Sequence, residues 1–544
     1  MKKFLILDCY VDEPACLGVP PFVSPYPRLI AGALKDAGIA DENITYMTID
    51  HIRPEYKIND YFDEAFIIGG AAVPGRYLGA KIGTFAEIKS IIENNRLFFS
   101  VGGLISRLPQ FGSINGNFRI IANDIEAAAF HSAKDESKDR LRDNAECTRW
   151  GILGASIVKA HQDYPQLIAE IETYRGCPRE NKCSFCSENI YSTIDFRNES
   201  EIIAEIESLT SSGISRFRLG RQADITAYGS DLNSYKNGFP KSNPEKIRSL
   251  FEPLSRKIKT GEIKSIFIDN ANPGQLATYE NESKEILSII AEAVSEGDTM
   301  ALGAESFDPS LIKPNNLKAN RDEIIKAVKI INEAGSLRKN GIPSILPGVN
   351  LIHGLIGETD KTFKLNYETL KEILDSGYLV KRINIRKIQP FPGTALYESK
   401  FRPSQRVINR YEYYKEKIRS EIDSVMLAKI YPAGTIIKEV RTEETNSGYS
   451  YARQIASYPI ICKIPLELEH RTVFDAVILG NKERSLHALP FPIEINKLNS
   501  KALEYIPHIG KKTSDMIINK PLTKEKVLAL TPNIPVDILN KFKF

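Results

Sequence analysis

Three cysteines crowd into ten residues of a 544-residue chain: Cys177, Cys183 and Cys186, within Glu172-Thr-Tyr-Arg-Gly176-Cys177-Pro-Arg-Glu-Asn-Lys-Cys183-Ser-Phe185-Cys186-Ser-Glu188. Soft thiolates select iron–sulfur clusters or zinc over hard cations. Three of them can hold three corners of a [4Fe–4S] cube and leave the fourth iron open to a ligand or substrate. Two cysteines separated by two residues reach neighbouring irons from one turn, and Gly176 and Pro178 shape the longer first gap. The other reading is structural zinc, which requires a closed set of four ligands. No fourth Cys or His lies in the loop, and Cys147 and His161 are the nearest candidates. Seven cysteines in all are too few for a disulfide scaffold.

The surrounding elements read as an α/β chain. Hydrophobic residues at 42% and charged residues at 26% are ordinary globular composition and exclude collagen, coiled coil and wholesale disorder. Lys+Arg 72 against Asp+Glu 69 gives +3, so any nucleic-acid surface must be local. No stretch approaches the roughly 20 apolar residues of a membrane span, and the opening MKKFLILDCYVDEP predicts a first strand rather than a signal segment. A soluble, cytoplasmic protein is expected. FLILD, ITYMTID (44–50), EAFIIGGA (64–71), LFFSVGG (97–103) and FRIIAND (118–124) alternate with helical stretches, which predicts a Rossmann-like domain over 1–130. Its loop 12–21 is expected at the carboxyl ends of the strands, where such sheets bind ligands. Residues 131–164 read as an exposed, charge-rich connector with Trp150 as an anchor. Over 165–427 six βα units predict a TIM-type barrel or partial (β/α)6 barrel, with catalytic residues at the strands' carboxyl ends. Short strands with Gly, Pro and Asn turns predict a small β-barrel over 428–495, and 496–544 returns to short helices.

The cysteine loop resembles that of the radical S-adenosylmethionine (SAM) superfamily, down to the aromatic Phe185 before the last cysteine. It departs in having five residues, not three, between the first two cysteines. The resemblance extends along the barrel. Gly303-Ala-Glu305-Ser306 is similar to the strand-four motif that meets the SAM ribose. Ile352-His-Gly354-Leu-Ile-Gly357-Glu358-Thr359 is similar to the strand-five motif, and Ile388-Gln389-Pro390-Phe391-Pro392-Gly393-Thr394 to the strand-six ending beside adenine. Where the family has Gly-Gly-Glu for the SAM amino group, this chain has Gly220-Arg221-Gln222-Ala223, and the role passes to Gly220 and Gln222. The resemblance implies a [4Fe–4S] cluster on Cys177, Cys183 and Cys186, SAM chelated at the open iron, reductive cleavage to a 5′-deoxyadenosyl radical, hydrogen abstraction from substrate, and a reductant such as ferredoxin or flavodoxin.

The flanks resemble the methylthiotransferase subgroup. There an N-terminal domain binds a second cluster, for which Cys9, Cys16 and Cys147 are available here in a different spacing. They also resemble cobalamin-dependent radical methyltransferases, although the Asp-x-His-x-x-Gly motif is absent. Residues 428–495 resemble the RNA-binding TRAM barrel, with Arg453 and Arg484 as contacts. Ile506-Pro-His-Ile-Gly510-Lys511-Lys512 resembles a helix-hairpin-helix, whose Gly510 turn with Lys511 and Lys512 suits a phosphate. Core aromatics on short strands and a solvated helical cap are the plain readings of these two regions. Three functions are therefore open. One is radical modification of nucleic acid, tRNA foremost, by methylthiolation or other C–H functionalisation. The second is the same chemistry, with or without cobalamin, on a small molecule or protein. The third is a non-catalytic nucleic-acid binder with structural zinc.

Overall fold

A computed structural model describes residues 2–69, 77–190, 194–339, 341–518 and 520–544. The N-terminal part supplies strands β1 (Phe4–Asp8), β2 (Phe22–Val23), β3 (Ile44–Thr48), β4 (Glu64–Ile68), β5 (Phe98–Gly102) and β6 (Phe118–Ile120). All but β2 form one parallel sheet in the order β3-β1-β4-β5-β6. Strands β1 and β4 are buried throughout, as a sheet covered on both faces demands. Helices α1 (Tyr26–Asp36), α2 (Phe85–Glu93) and α3 (Ile125–Ala133) provide the cover. Thr84 and Glu87 close a capping box at the start of α2. Gly70 and Ala71, the expected end of one strand, lie outside the described residues.

The segment expected to be an exposed connector is folded against both neighbours. Arg142 is buried between Glu126 at 2.6 Å and Glu172 at 2.7 Å. Buried carboxylates require a cation, and that requirement draws Arg142 inward, while Lys134, Asp135, Lys138 and Asp139 stay exposed as expected. Helix α4 (Asn144–Leu153) then packs on α1, with Trp150 fully buried against Leu29, Ala33 and Ala127. Gly32 permits the approach, since a Cβ there would lie 1.9 Å from the Trp150 carbonyl oxygen.

The central domain is a split barrel. Strands β7 (Ile168–Glu172), β8 (Arg216–Gly220) and β9 (Ser265–Ile268) continue through β10 (Asn270–Ala271) to β11 (Asp298–Glu305), β12 (Ile345–His353) and β13 (Arg382–Lys387). Helices α5 (Glu199–Ser211), α6 (Pro244–Lys259), α7 (Glu280–Ala293), α8 (Arg321–Gly335), α9 (Asp360–Asp375) and α10 (Gln405–Ile418) surround it. The strand pairs are parallel, in two sheets of order β9-β8-β7-β2 and β10-β11-β12-β13. Among the described residues no pairing closes β13 onto β7. Instead the N-terminal chain turns back after its first strand and adds β2 to the edge of β7. Lumen-facing side chains are charged: Arg218 bridges Glu170 and Asp269.

Strands β14 (Ile436–Asn446), β15 (Tyr449–Gln454), β16 (Ile461–Ile464), β17 (Val473–Asn481) and β18 (Ser485–Pro490) close into the expected small barrel, order β14-β15-β16-β18-β17. Its β15–β16 loop enters the split of the large barrel: Ile455 and Ala456 pack on Phe22, Ile168 and Phe267. The Tyr458 hydroxyl donates to Asp269 at 3.0 Å. The helical tail, with α11 (Lys511–Ile517) and α12 (Lys524–Leu530), shares a core with Val477, Leu479 and Leu489 of this barrel.

Two outcomes follow from the buried polar joints. Arg28 of α1 donates to Glu205 of α5 at 2.6 Å and to the Glu170 carbonyl. Arg28→Ala should cost about 3–5 kcal/mol by leaving buried acceptors unmatched, read as a lower denaturation midpoint for the whole chain. Burial lowers His161 from 6.5 to about 4, and its Nδ1 accepts from the Asp163 N–H at 3.0 Å. The unfolded chain takes this proton first as pH falls, so stability is whole above about pH 6.5. It should drop by about 1.4 kcal/mol per pH unit toward pH 4. Urea unfolding of His161→Gln should show a flatter pH dependence across that interval.

Candidate active site

The cysteine loop leaves β7 at its carboxyl end, where barrel chemistry is expected. Gly176 takes φ +84°, a turn open to glycine at little cost, and the short pair Tyr174–Arg175 with Asp195–Phe196 closes the loop base. Cys183 is buried, and Cys177 and Cys186 are half-buried. The loop has almost no regular structure, so its shape rests on bonds to other strand ends. Asn315, fully buried, accepts from the Ser184 hydroxyl at 3.2 Å and the Ile356 N–H at 3.0 Å. Its amide donates to the Ile356 carbonyl at 2.9 Å, and its own carbonyl accepts from Ser184 N–H at 3.0 Å. The Leu396 N–H, beyond strand six, donates to the Ser184 carbonyl at 2.8 Å. Arg179 donates to Cys183 Sγ at 3.2 Å and to the carbonyls of Asn316 and Leu317. Phe185 packs on the apolar cluster of Leu311, Leu317 and Leu355.

Burial pushes the Cys183 and Cys186 thiols up, and the neighbouring cysteines push them further, against Lys318. The three sulfurs therefore feel one another across a dry site. A cationic cluster relieves that cost, and each thiolate would take its own iron corner. Among the described residues no three His, Cys, Asp or Glu converge on a single metal ion. Three cysteines on one loop with no fourth Cys or His in it fit three corners of a cube, whereas structural zinc takes a closed set of four. Next to it, Lys318 donates to Glu305 at 3.0 Å; although burial opposes its charge, Glu305 and the cysteines raise Lys318. Glu305 itself has φ +63°, a strained backbone held where strand four ends. Gly303 leaves room for this pair, since a Cβ would lie 2.1 Å from the Lys318 nitrogen and push the side chain aside.

The other expected contacts fall around the same rim. Gly220 ends β8, and a Cβ there would meet Glu170 Oε1 at 2.1 Å. Gln222 is fully buried, accepting from Thr173 and donating to the Leu219 carbonyl. Ser306 is turned toward Asn366, at 3.2 Å. Gly354 has φ +106° and donates to Glu358 at 2.8 Å. Gln389 is exposed and Pro390 half-buried beyond β13. Asn315, Lys318 and Arg179 were not singled out by sequence; the one signal was the turn-rich Lys313-Pro-Asn-Asn-Leu-Lys318 after the strand-four motif.

Behind the cysteine loop a small solvent-open cleft of about 40 Å³ faces the N-terminal strand ends, lined by Glu13, Arg107, Asp124, Ser187, Glu188 and Arg221. Ser187 Oγ and Glu188 Oε2 are buried and have no hydrogen-bond partner among the described residues. Cys9, Cys16 and Cys147 sit in three separate apolar clusters, so the structure does not assemble them into a second metal site. Of the expected nucleic-acid contacts, Arg453 is held by Glu443 at 2.7 Å, while Arg484, Gly510, Lys511 and Lys512 are exposed.

Asn315→Ala removes several buried hydrogen bonds at once. It should cost about 2–3 kcal/mol and lower the iron retained per chain after anaerobic reconstitution, read by iron and sulfide assay beside a thermal midpoint.

The model of the radical SAM superfamily matches residues 171–370. An uncharacterised protein of Methanocaldococcus jannaschii is 38% identical over 483 residues, covering 85% of this chain and 88% of its own length. One of Archaeoglobus fulgidus is 36% identical over 536 residues, covering 97% of each. A ribosomal protein uS12 methylthiotransferase of Thermodesulfovibrio yellowstonii is 23% identical over 242 residues, 44% of this chain and 49% of its own. Among solved structures, a radical S-adenosylmethionine methyltransferase of Kitasatospora setae with cobalamin and a [4Fe–4S] cluster bound is 13% identical with TM-score 0.46, covering 73% of this chain and 77% of that one. The chain belongs to one family with these two archaeal proteins, and its residues 171–370 form a radical SAM superfamily domain, the domain of an enzyme.

Proposed function

We propose that this radical SAM enzyme functionalises a C–H bond of RNA, tRNA being the expected class, by methylthiolation or a related insertion. When bound, the cluster and SAM supply reductive cleavage of the sulfonium bond and a carbon-centred radical. The chain's own residues do the rest. Cys177, Cys183 and Cys186 ligate, and Arg179 donates to the Cys183 sulfur and favours its thiolate. Phe185 with Leu311 and Leu355 keeps water from the loop. Gly220, Gln222, Glu305, Ser306, Gly354, Gln389 and Pro390 are the proposed walls of the SAM site.

The observation that carries the RNA reading is the place of the small barrel, whose β15–β16 loop lies in the split of the catalytic barrel. A strand held on the small barrel would be delivered beside the lumen. Basic and aromatic side chains interleave on this barrel, as a single-strand site suits: Lys463 and Lys501 lie 3.9 and 3.4 Å from the centre of Tyr449. Lys511 and Lys512 extend the exposed positive surface. The partial likeness to a ribosomal-protein methylthiotransferase supports a macromolecular substrate.

The parallel N-terminal sheet, whose strand ends are the usual ligand side of such a fold, favours a second reading, cobalamin-dependent transfer to a small molecule or protein. Anaerobic reconstitution with iron, sulfide and cobalamin assays separates the two. Point changes are preferable to truncation, since removing the small barrel strips Ile455 and Ala456 from Phe22 and Ile168. Cys183→Ser should abolish cluster retention and 5′-deoxyadenosine formation while leaving salt-dependent RNA binding intact. Absence of RNA binding by the wild-type protein at low salt would sink the RNA reading.

A further inference from the structure

Strand β13 alternates Arg382, Asn384 and Arg386 toward the split of the barrel, while Ile383 faces the apolar core beneath the helices. Arg382 donates through Nε to Asn384 at 2.7 Å, and its guanidinium lies 5.6 Å from the ring centre of Tyr458. Among the described residues no carboxylate pairs with it, and its terminal nitrogens make no hydrogen bond. Arg484 approaches from the turn between β17 and β18. The acid beside it, Asp423, is already held by Arg419. Arg386 reaches Asp12 only at 3.8 Å, and Asp12 also accepts from the Tyr77 hydroxyl. Asp269, deeper in the lumen, is taken by Arg218 and Tyr458.

Guanidiniums from two domains thus lie close together: Arg382 has no acid of its own, whereas Asp12 offsets Arg386 and raises it. Burial, with Arg484 and Arg386 close by, depresses Arg382 to about 10. Such an arrangement is repulsive until an anion enters. Arginine forks from separate elements match the oxygens of a phosphate. We propose that Arg382, Arg386 and Arg484 form a phosphate-binding site at the open side of the barrel, taking a phosphodiester of the RNA substrate. The site stands on its own geometry, and only the source of the phosphate rests on the RNA reading. A small phosphorylated substrate would present the same chemistry.

Two probes on the reconstituted full-length protein test this. Inorganic phosphate is read by the rise in thermal midpoint that it causes. A short fluorescein-labelled single-stranded RNA is read by anisotropy over a potassium chloride series. Arg382→Met and Arg484→Met should each weaken RNA binding roughly tenfold, lower the salt slope by about one, and remove the phosphate-induced rise. Arg382→Lys should keep the slope at reduced affinity, and Lys364→Met, on the far helix α9, should match wild type. Without ligand, Arg382→Met should hold its midpoint, because it relieves repulsion; a marked fall would make Arg382 a structural strut and overturn the proposal. If phosphate acts through these arginines but RNA does not bind the wild type, the site stands and the RNA reading fails. If RNA binds and the Met variants leave its affinity within about twofold, the site fails and the RNA reading survives. If neither probe acts on the wild type, both fail.

Discussion

A loop of ten residues with hardly any regular structure has to present three sulfurs as one face. Nothing within the loop can do that, because a flexible segment of that length loses about 1–2 kcal/mol per residue when it is ordered. The order is imposed from outside. Ser184 is bonded on one side to Asn315, after strand four, and on the other to Leu396, after strand six. Asn315 in turn holds Ile356, after strand five. One buried amide thus sets the cysteine loop against the strand ends that border the SAM site. The same joint makes ligand geometry depend on the register of the barrel strands.

The barrel itself is incomplete, and its neighbours supply what is missing. Strand β2, from the N-terminal domain, extends the sheet at β7. The loop of the small barrel fills the split with Ile455, Ala456 and Tyr458. Arg28 ties α1 to α5, and Arg142 ties α3 to β7. These joints are charged and buried, which is costly for isolated groups but specific for matched ones. They suit a chain in which three units must meet at fixed positions around one lumen. Arg382, bonded only through Nε among the described residues, contrasts with the matched joints and is where the proposed phosphate would be held.

Much of the site was legible in the primary structure because iron–sulfur ligation depends on residue type and short spacing. Cys177, Cys183 and Cys186 with Phe185 lie on one loop, and glycines such as Gly303 and Gly354 occur where backbone must pass close to other groups. The five N-terminal strands, the six barrel strands and the closed small barrel were likewise readable from apolar runs and turns. The burial of Arg142 within the charged stretch 131–164 was not. Charge runs normally face water, and only the buried carboxylates Glu126 and Glu172, distant in sequence, explain why Arg142 does not. Arg453 reads as a free cation until Glu443 is found across the strand pair.

What the amino-acid order settled alone is therefore local: ligand chemistry, strand and helix periodicity, and the glycine turns. Each depends on residues within a few positions of one another. What tertiary structure decided is pairwise and distant: Asn315 as the clamp of the cysteine loop, Tyr458 in the split of another domain's barrel, and the meeting of Arg382 with Arg484. Hydrogen bonds and ion pairs between residues a hundred or more positions apart leave no periodic trace in a single sequence, so only the folded chain reveals them.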